Sequence, residues 1–245
     1  MRPYSIIIKP FGERAILIEW QQRVEETILD DILQFSEYLK NNYLAADDWE
    51  LITAYNSLTI INRKELIKQE EFSLLVKKWY SEKEKIVLND KFLWRLPVCY
   101  DVDFGIDLLH VSNVLGISIL EIIALHTQNV YTVYGIGFLP GFMYLGGLPK
   151  TLEITRKETP RLKVSKGAVG LAGKQTGIYP QESPGGWNII GNCPIPIFDV
   201  TKESPCFVSV GDKIKFYEIS KARYDLHTIE SEVGIYKIEK QKINA

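Results

Sequence analysis

This chain of 245 residues has few cysteines, no long apolar run and no large excess of either charge. Only Cys99, Cys193 and Cys206 are present, without CxxC spacing, so neither a disulfide framework nor a zinc site is predicted, and a reduced, cytoplasmic protein is favoured. No apolar run reaches the roughly 18–20 residues of a membrane helix, and the interruption at Pro10 and Gly12 argues against a signal peptide. Lys and Arg number 29 and Asp and Glu 31, which excludes a strongly basic nucleic-acid-binding protein.

Glycine and proline are scarce in the first part of the chain and abundant later. Of the 17 glycines only Gly12 precedes residue 100, whereas twelve lie between Gly135 and Gly191. Seven of the 11 prolines fall between Pro140 and Pro196. Because glycine permits positive φ and proline fixes φ and removes a donor, this boundary predicts regular α+β structure first and a turn-rich part with short strands afterwards.

The first domain is predicted to cover residues 1–84, with two helices on a small antiparallel sheet. Strands are predicted at SIIIKP and RAILIEW, joined through Gly12, and two more within WELITAYNSLTIIN. Apolar residues at helical spacing predict one helix over 24–40 and a second over 64–80.

A polar segment, 83–91, is predicted to be the linker, and its charge run EKEK (82–85) is predicted to be solvated. Two short helices are predicted after it, over 107–115 and 118–127, with Gly116 between them. A capping box, Ser-x-x-Glu, stands at the start of the second of these helices.

The second domain, 85–245, is predicted to be mainly β, because many short strands with Gly/Pro turns favour a barrel or a sandwich. The last two strands are predicted to form a hairpin across 211–212. The basic tail after Gly234 is predicted to be frayed.

Common catalytic motifs are missing from the sequence. The stretch GAVGLAGKQTG has Ala168 where a Walker A loop needs glycine, and Gln175 follows Lys174 where the magnesium-binding hydroxyl belongs. Ordinary P-loop binding of ATP is therefore not predicted. Neither GxSxG nor HExxH occurs. The three histidines show no metal-ligand spacing, so no metal is predicted; they are His110, His126 and His227.

The segment 131–191 combines many glycines with aromatic residues and polar donors. Glycines such as Gly141 let the backbone fold tightly, and aromatic rings supply flat apolar walls. A concave, largely apolar pocket with a few convergent polar groups is the general form of a small-molecule site. The side chains expected to line this pocket are Phe138, Phe142, Tyr144, Tyr179, Trp187, Arg161, Lys163, Lys166, Lys174 and Gln175.

Two blocks within this region are highly specific. They are GFLPGFMYLGGLP (137–149) and KGAVGLAGKQTGIYPQESPGGWNIIG (166–191). Two short pieces accompany them, PR (160–161) and the closing VGDKIKF (210–216), and weaker matches lie upstream, among them LPVCYDVDFGIDL (96–108). In these residues the chain resembles, over nearly its whole length, the B component of bacterial ATP-dependent 5-oxoprolinase. That family includes the kinase inhibitor KipI and is also called allophanate hydrolase subunit 1-like. The resemblance implies a small α+β N-terminal domain followed by a mainly-β C-terminal, cyclophilin-like barrel.

The resemblance further implies a non-autonomous part of an enzyme complex. Together with an A component and a C component (allophanate hydrolase subunit 2-like) it would cleave the lactam of 5-oxo-L-proline to L-glutamate, with ATP used by the complex. The chain alone is expected to be inactive. Two alternatives stay open: a KipI-like inhibitor of a sensor histidine kinase, and a component of a urea- or allophanate-processing system. Fold alone does not decide between them.

Two residues are predicted to be catalytic. Arg161 would grip the 5-oxoproline carboxylate or a phosphate through its guanidinium fork, the alternative being a strand-end surface arginine. His126 lies near the end of the helix 118–127, where the dipole favours its protonated form, and would act as acid or base. The alternative is a helix-end histidine bonded to backbone.

Substrate binding is predicted for the loop residues Phe138, Gly141, Phe142, Lys174, Gln175, Tyr179 and Trp187. The alternative for the aromatic residues is the barrel core, and for Lys174 a solvated turn. Two departures from the family pattern accompany them. Val164-Ser165-Lys166-Gly167 replaces a usual Val-Pro-Ala-Gly, and Asn192-Cys193-Pro194 replaces Arg-Thr-Pro. A guanidinium at 192 is therefore not carried over, and compensation by Lys166 is an open alternative.

Overall fold

The computed structural model describes residues 4–44, 47–86, 88 and 90–243. The chain forms two compact units, Met1–Asp90 and Lys91–Asn244. The boundary predicted after residue 84 precedes this division. Residues 87 and 89 of the predicted linker lie outside the described residues.

The described residues of the first unit form two helices and four strands, which is the content predicted from the sequence. Its elements are β1 (Ile7–Pro10), β2 (Ala15–Glu19), α1 (Glu26–Asn42), β3 (Trp49–Ala54), β4 (Ser57–Asn62) and α2 (Gln69–Glu82). The strands form one antiparallel sheet in the order β1-β2-β4-β3. The inward side chains of the sheet share one hydrophobic core with both helices.

Helix α1 presents the predicted apolar stripe to this core, with Ile28, Ile32 and Phe35 fully buried. It begins at Glu26 rather than at 24, because Glu25 is still extended, with φ −131° and ψ 138°. The spacing of the apolar stripe therefore located the helix correctly, but it did not predict the residue at which the helix begins.

Helix α2 begins later than predicted. The side-chain oxygen of Asn62 accepts hydrogen bonds from the backbone N–H groups of Lys64 and Glu65, at 2.9 and 2.8 Å. These bonds resemble a helix N-cap, but the chain does not continue as a helix, because the Ile67 N–H donates to the Glu13 carbonyl at 2.9 Å. The predicted start at 64 is therefore wrong, and the helix begins at Gln69.

A polar cluster around Asp31 ties the end of α2 to α1. Lys83 forms an ion pair with Asp31, and the two side chains are only 13% and 17% exposed. Trp20 Nε1 and the Tyr80 hydroxyl donate to Asp31 Oδ2 at 2.8 and 2.5 Å. Burial lowers the pKa of Lys83, and Asp31 opposes that shift. The prediction that the whole run 82–85 is solvated is therefore wrong for Lys83.

Replacing Asp31 with Ala is expected to lower the free energy of unfolding by about 2–3 kcal/mol, because Lys83 then lacks its partner and two further donors lose their acceptor. Urea unfolding of the full chain measures this. The matched control is Asp48→Ala, which breaks an ion pair with Lys64 between side chains 43% and 68% exposed and should cost under about 1 kcal/mol. Equal losses in both variants would contradict the structural role of Asp31.

The second unit is built around one large sheet with helices packed on it. Its elements are β5 (Lys91–Val98), α3 (Leu108–Leu115), α4 (Ile119–Gln128), β6 (Tyr131–Ile136), β7 (Met143–Gly146), β8 (Arg161–Val164), β9 (Ala168–Ala172), β10 (Gln175–Ile178), β11 (Ser183–Gly185), β12 (Asn188–Asn192), β13 (Lys213–Glu218), α5 (Lys221–Glu232) and β14 (Glu239–Ile243). Eight strands follow the order β12-β9-β10-β7-β6-β13-β5-β14, and β8 pairs separately with β11. The predicted turn-rich, strand-rich part of the chain is thus present.

The large sheet curls back on itself at one point. Cys99, directly after β5, and Asn192, at the end of β12, exchange two backbone hydrogen bonds of 2.9 Å each. This single bridge links the two strands, but no continuous ladder joins them among the described residues. The architecture is mixed α/β with a large sheet, and a closed barrel is not confirmed.

The predicted hairpin across 211–212 is wrong. The side chain of Asp212 accepts hydrogen bonds from the Phe92 N–H (2.9 Å), Trp94 Nε1 (2.9 Å) and the Ser209 N–H (3.0 Å). These bonds hold the preceding residues in a turn. Strand β13 instead pairs in parallel with β5 and antiparallel with β6.

The C-terminal tail is ordered rather than frayed over 239–243, where β14 pairs with β5; residues 244–245 lie outside the described residues. Helix α5 was not predicted. It contains no buried residue, so it lacks the apolar stripe by which helices are recognised in a sequence.

Helices α3 and α4 confirm the prediction of two short helices. Gly116 ends α3 in the left-handed region at φ 68°, and Ser118 Oγ accepts the Glu121 N–H at 3.2 Å to begin α4. In the described part of the chain, no single helix is long and apolar enough to cross a membrane. Helices α3 and α4 meet the length and hydropathy requirement only as a pair, and the pair is bent by 93° at its break.

Candidate functional site

Arg161 lies in an ion-paired group with two residues that were not predicted from the sequence. Its Nη2 donates to Asp107 Oδ1 at 2.6 Å. Lys157 Nζ lies 2.9 Å from the same oxygen. Asp107, Lys157 and Arg161 are called the Asp107 cluster below.

Three separate segments position the Asp107 cluster. Asp107 precedes α3 and is tied to β12, since its backbone N–H donates to the Ile189 carbonyl (2.9 Å) and its Oδ2 accepts the Ile189 N–H (2.8 Å). Arg161 begins β8 and pairs with Gly185 of β11. The Lys157 N–H donates to the Gly186 carbonyl at 2.8 Å. The cluster therefore stands on backbone hydrogen bonds rather than on side-chain contacts alone.

The electrostatics of the cluster favour an anion. Burial alone would raise the pKa of Asp107, which is 4% exposed, but hydrogen bonds from Arg161, the Ile189 N–H and Lys157 hold it below its usual range. One carboxylate between two cations leaves a formal charge of +1. Arg161 Nη1 is buried and has no hydrogen-bond partner within the described ranges. The Arg161 side chain as a whole is 27% exposed, and a net positive group with an accessible guanidinium suits a carboxylate or phosphate.

The aromatic residues predicted for the pocket are packed together. Phe142, Tyr179 and Trp187 are at most 3% exposed. The ring of Phe142 meets those of Tyr179 and Trp187 edge-on, at centroid distances of 5.2 and 5.4 Å, and Tyr144 joins the group at 4.9 Å from Phe142. The structure therefore gives these rings the core packing that the sequence left as their alternative.

Phe138 and Gly141 belong to a tight turn beside this aromatic core. Phe138 is 69% exposed and has a φ of 69°, a conformation that bulky residues rarely adopt. Gly141 has φ 82°, and a Cβ there would lie 2.6 Å from the Cβ of Phe198. Glycine is thus required at 141 for both conformation and space, while Phe138 presents its ring to solvent.

Lys174 and Gln175 lie at the opposite end of β10 from Tyr179. Gln175 pairs with Ala172 next to the turn between β9 and β10, and Lys174 in that turn is exposed. Tyr179 lies five positions after Lys174 along largely extended chain, roughly 16 Å at about 3.3 Å per residue. Lys174 and Gln175 therefore do not lie at the end of β10 where Tyr179 lies.

His126 lies in the interior and is fully buried. Its Nδ1 is 2.6 Å from the Tyr100 hydroxyl and its Nε2 2.9 Å from Thr176 Oγ1, and its ring stacks on Phe216 at 4.6 Å. Burial lowers its pKa to about 3. The prediction of a protonated helix-end histidine is therefore wrong, because desolvation outweighs the helix dipole. An acid–base role has no support from this geometry.

The free energy of unfolding is expected to decrease as the pH falls below 6.5, because the unfolded chain binds a proton at His126 that the folded chain does not bind until about pH 3. The contribution of His126 is complete above pH 6.5, and about 2 kcal/mol of it is lost between pH 6.5 and pH 5. Chemical denaturation across this range measures the slope. His126→Gln should flatten it, whereas the exposed control His110→Gln should not; an unchanged slope in His126→Gln would refute the neutral buried state.

A cavity of about 300 Å³ opens in the second unit, between α5 and the segment Cys193–Ile197. Of the residues predicted from the sequence to bind substrate, only Tyr179 lines it. Residues from the two segments that depart from the family pattern contact each other at the edge of this cavity. Asn192 Nδ2 donates to the Lys166 carbonyl at 3.0 Å, and Lys166 itself lines the cavity.

Comparison with known proteins identifies the family. Residues 6–208 match the carboxyltransferase domain, subdomain C and D. The B component of 5-oxoprolinase from Bacillus subtilis (strain 168) is 32% identical over 234 residues, which cover 91% of this chain and 97% of that protein. This chain belongs to the family of 5-oxoprolinase B components. The B component from Escherichia coli O157:H7 is similar too, with 33% identity over 205 residues, 84% of this chain and 92% of that one.

Two solved structures have a fold similar to that of this member of the 5-oxoprolinase B family. The crystal structure of TTHA0988 matches with a TM-score of 0.72 and 31% identity, covering 84% of this chain and 40% of that one. The urea carboxylase of Kluyveromyces lactis matches with a TM-score of 0.81 at 17% identity, covering 98% of this chain and 24% of that one. This chain thus spans less than half of both solved chains, and the second match establishes the shared fold.

Sequence analysis did not predict two residues of the Asp107 cluster, Asp107 and Lys157. Asp107 lies inside LPVCYDVDFGIDL (96–108), one of the weaker blocks of the resemblance, and that block was the available signal. Lys157 lies outside all the matched blocks, and nothing in its surroundings distinguishes it from a surface lysine. Only the fold reveals that both residues meet Arg161.

Proposed function

We propose that this chain acts as the B component of ATP-dependent 5-oxoprolinase, cleaving 5-oxo-L-proline to L-glutamate together with an A component and a C component. The observation that carries the proposal is the identity of 32% across 97% of the B component from Bacillus subtilis. In this proposal the chain is inactive alone and works in the cytoplasm. ATP is a substrate of the complex, and no residue of this chain is assigned to it.

The Asp107 cluster is proposed to bind the anionic group of the substrate. A lactam is a resonance-stabilised amide, so phosphorylation of its oxygen makes carbon 5 a better target for water. The protein must then hold a small anion and stabilise developing negative charge, and preformed donors contribute about 3–4 kcal/mol each in comparable sites. The net positive charge of the cluster and the partial exposure of the Arg161 side chain support this assignment.

The second unit is proposed to close as a cyclophilin-like barrel. The bridge between Cys99 and Asn192 supports this, because it joins the strands that would be neighbours in a closed barrel. A hydrogen-exchange measurement on the isolated chain tests it: slow exchange of both bridging N–H groups is expected, and rapid exchange would indicate an open sheet.

Reconstitution tests the proposed function. This chain is co-expressed with candidate A and C components, and L-glutamate formed from 5-oxoproline is measured with and without ATP. ATP-dependent product that requires all three chains is the expected result. Full turnover by the A and C components without this chain, or by this chain alone, would contradict it.

A role in urea processing is the second candidate. The urea amidolyase of Saccharomyces cerevisiae is 31% identical over 140 residues, which cover 54% of this chain but 8% of that protein. Supplying urea or allophanate in place of 5-oxoproline to the same reconstituted complex distinguishes the two roles. Inhibition of a sensor histidine kinase by this chain, with no product from any of these substrates, would favour the KipI-like alternative.

A further inference from the structure

The cavity between α5 and Cys193–Ile197, here called the α5 cavity, exists because α5 packs loosely. No residue of α5 is buried. Its first half is anchored, since the Tyr224 hydroxyl donates to Asn192 Oδ1 at 3.0 Å and the Tyr224 ring lies 4.3 Å from that of Phe104. Its second half supplies Thr228, Ser231 and Glu232 to the wall of the cavity. One side of the cavity is thus formed by a regular helix.

Among the polar side chains that line the cavity are Ser231, Lys166 and Glu232. Ser231 is only partly buried as a residue, but its Oγ is enclosed and, within the part of the chain that the structure describes, has no hydrogen-bond partner. Buried hydroxyls nearly always have a partner, so an orphan needs an explanation such as a ligand. Lys166 and Glu232 are both exposed and carry opposite charges, and Lys166 lies close enough to Asp199 for the two charges to interact.

The remaining lining is mostly apolar, apart from the hydroxyl-bearing residues Tyr179, Tyr224 and Thr228. Ile195 and Ile197 are 3% and 1% exposed and form the floor. A volume of about 300 Å³ is at the lower limit for small-molecule pockets, so it suits one compact metabolite rather than a nucleotide. The C-terminal end of α5, at Glu232, adds the negative end of a helix dipole, which favours a cation there.

We propose that the α5 cavity binds an aliphatic α-amino acid, with its carboxylate at Lys166, its ammonium at Glu232 and its side chain over Ile195 and Ile197. The Ser231 hydroxyl then has a polar partner. No member of the Asp107 cluster is among the residues that line this cavity, so the site is separate from the one proposed for 5-oxoproline and does not depend on the enzymatic function.

Titration of the full chain with L-leucine, followed by NMR or calorimetry, tests the proposal. Two analogues separate the contributions: 4-methylpentanoate lacks the ammonium group, and 3-methylbutan-1-amine lacks the carboxylate. Both are expected to bind at least about tenfold more weakly than L-leucine, since each loses a charge-assisted hydrogen bond. No perturbation of the Tyr224 and Ser231 signals by L-leucine at about 20 mM, far above the millimolar range of weak ligands, would overturn the proposal.

Variants locate the site within the chain. Lys166→Met should weaken L-leucine at least about tenfold and leave the amine analogue unchanged, and Glu232→Gln should show the reverse selectivity. Matched controls are Lys150→Met and Glu158→Gln, which replace exposed charges outside the cavity. Equal binding of 4-methylpentanoate and L-leucine, or equal losses in controls and test variants, would refute an amino-acid site.

Discussion

Replacing Arg161 with Met in the reconstituted complex is expected to lower kcat/KM for 5-oxoproline by about 10- to 150-fold, the equivalent of one charge-assisted interaction. The loss should fall mainly on KM if the guanidinium holds the substrate carboxylate equally in ground and transition states. Arg161→Lys keeps the charge but loses the planar fork, so its loss should be intermediate. The test is to measure kcat and KM for the natural chain, Arg161→Met and Arg161→Lys, each reconstituted with the A and C components.

A matched control stands on the same strand. Lys163 lies two residues after Arg161 in β8, with its side chain 79% exposed in an ion pair with Glu182. Lys163→Met removes one positive charge without touching the Asp107 cluster and should leave kcat/KM unchanged. An unaltered KM in Arg161→Lys and Arg161→Met, or equal losses in Lys163→Met, would show that Arg161 does not bind the substrate.

Replacing Asp107 with Ala is expected to lower the free energy of unfolding by about 3–5 kcal/mol, because Arg161 and Lys157 then face each other without a counter-ion and the Ile189 N–H loses its acceptor. The same variant should lower activity in the complex, since Asp107 positions the guanidinium. Chemical denaturation and kinetics measure the two effects. The exposed control Asp103→Ala, in the same loop, should change neither.

The pH dependence of the free energy of unfolding distinguishes the contribution of the Asp107 charge from that of its shape. Its pKa lies below the ordinary 3.8 in the folded chain, so its contribution to stability is complete above the unfolded value and is lost as the pH falls through the folded one. Asp107→Asn has nearly the same shape but no charge. The difference in unfolding free energy between Asp107→Asn and the natural chain should therefore shrink as the pH falls below about 4. A constant difference would mean that the carboxylate charge contributes nothing.

Local patterns were reliable wherever a single segment carries the information. The stripe of Ile28, Ile32 and Phe35 predicted α1, because residues three and four apart share one face of a helix. Gly116 and Ser118 marked the break between α3 and α4 through left-handed backbone and a cap. The errors arose where side chains bond across the fold: the Asp212 carboxylate bonds Phe92, Trp94 and Ser209, and that contact replaces a predicted hairpin with a turn.

The amino-acid sequence by itself determined the two-part organisation, most of the regular elements and the family of 5-oxoprolinase B components, because these follow from composition, periodicity and short blocks of residues. Only the tertiary structure decided which polar groups meet. Asp107 and Arg161 are 54 positions apart, and their contact depends on α3, β8 and β12 packing together. The neutral state of His126 was decided in the same way, since burial under strands distant in sequence removes the water that would stabilise its charge.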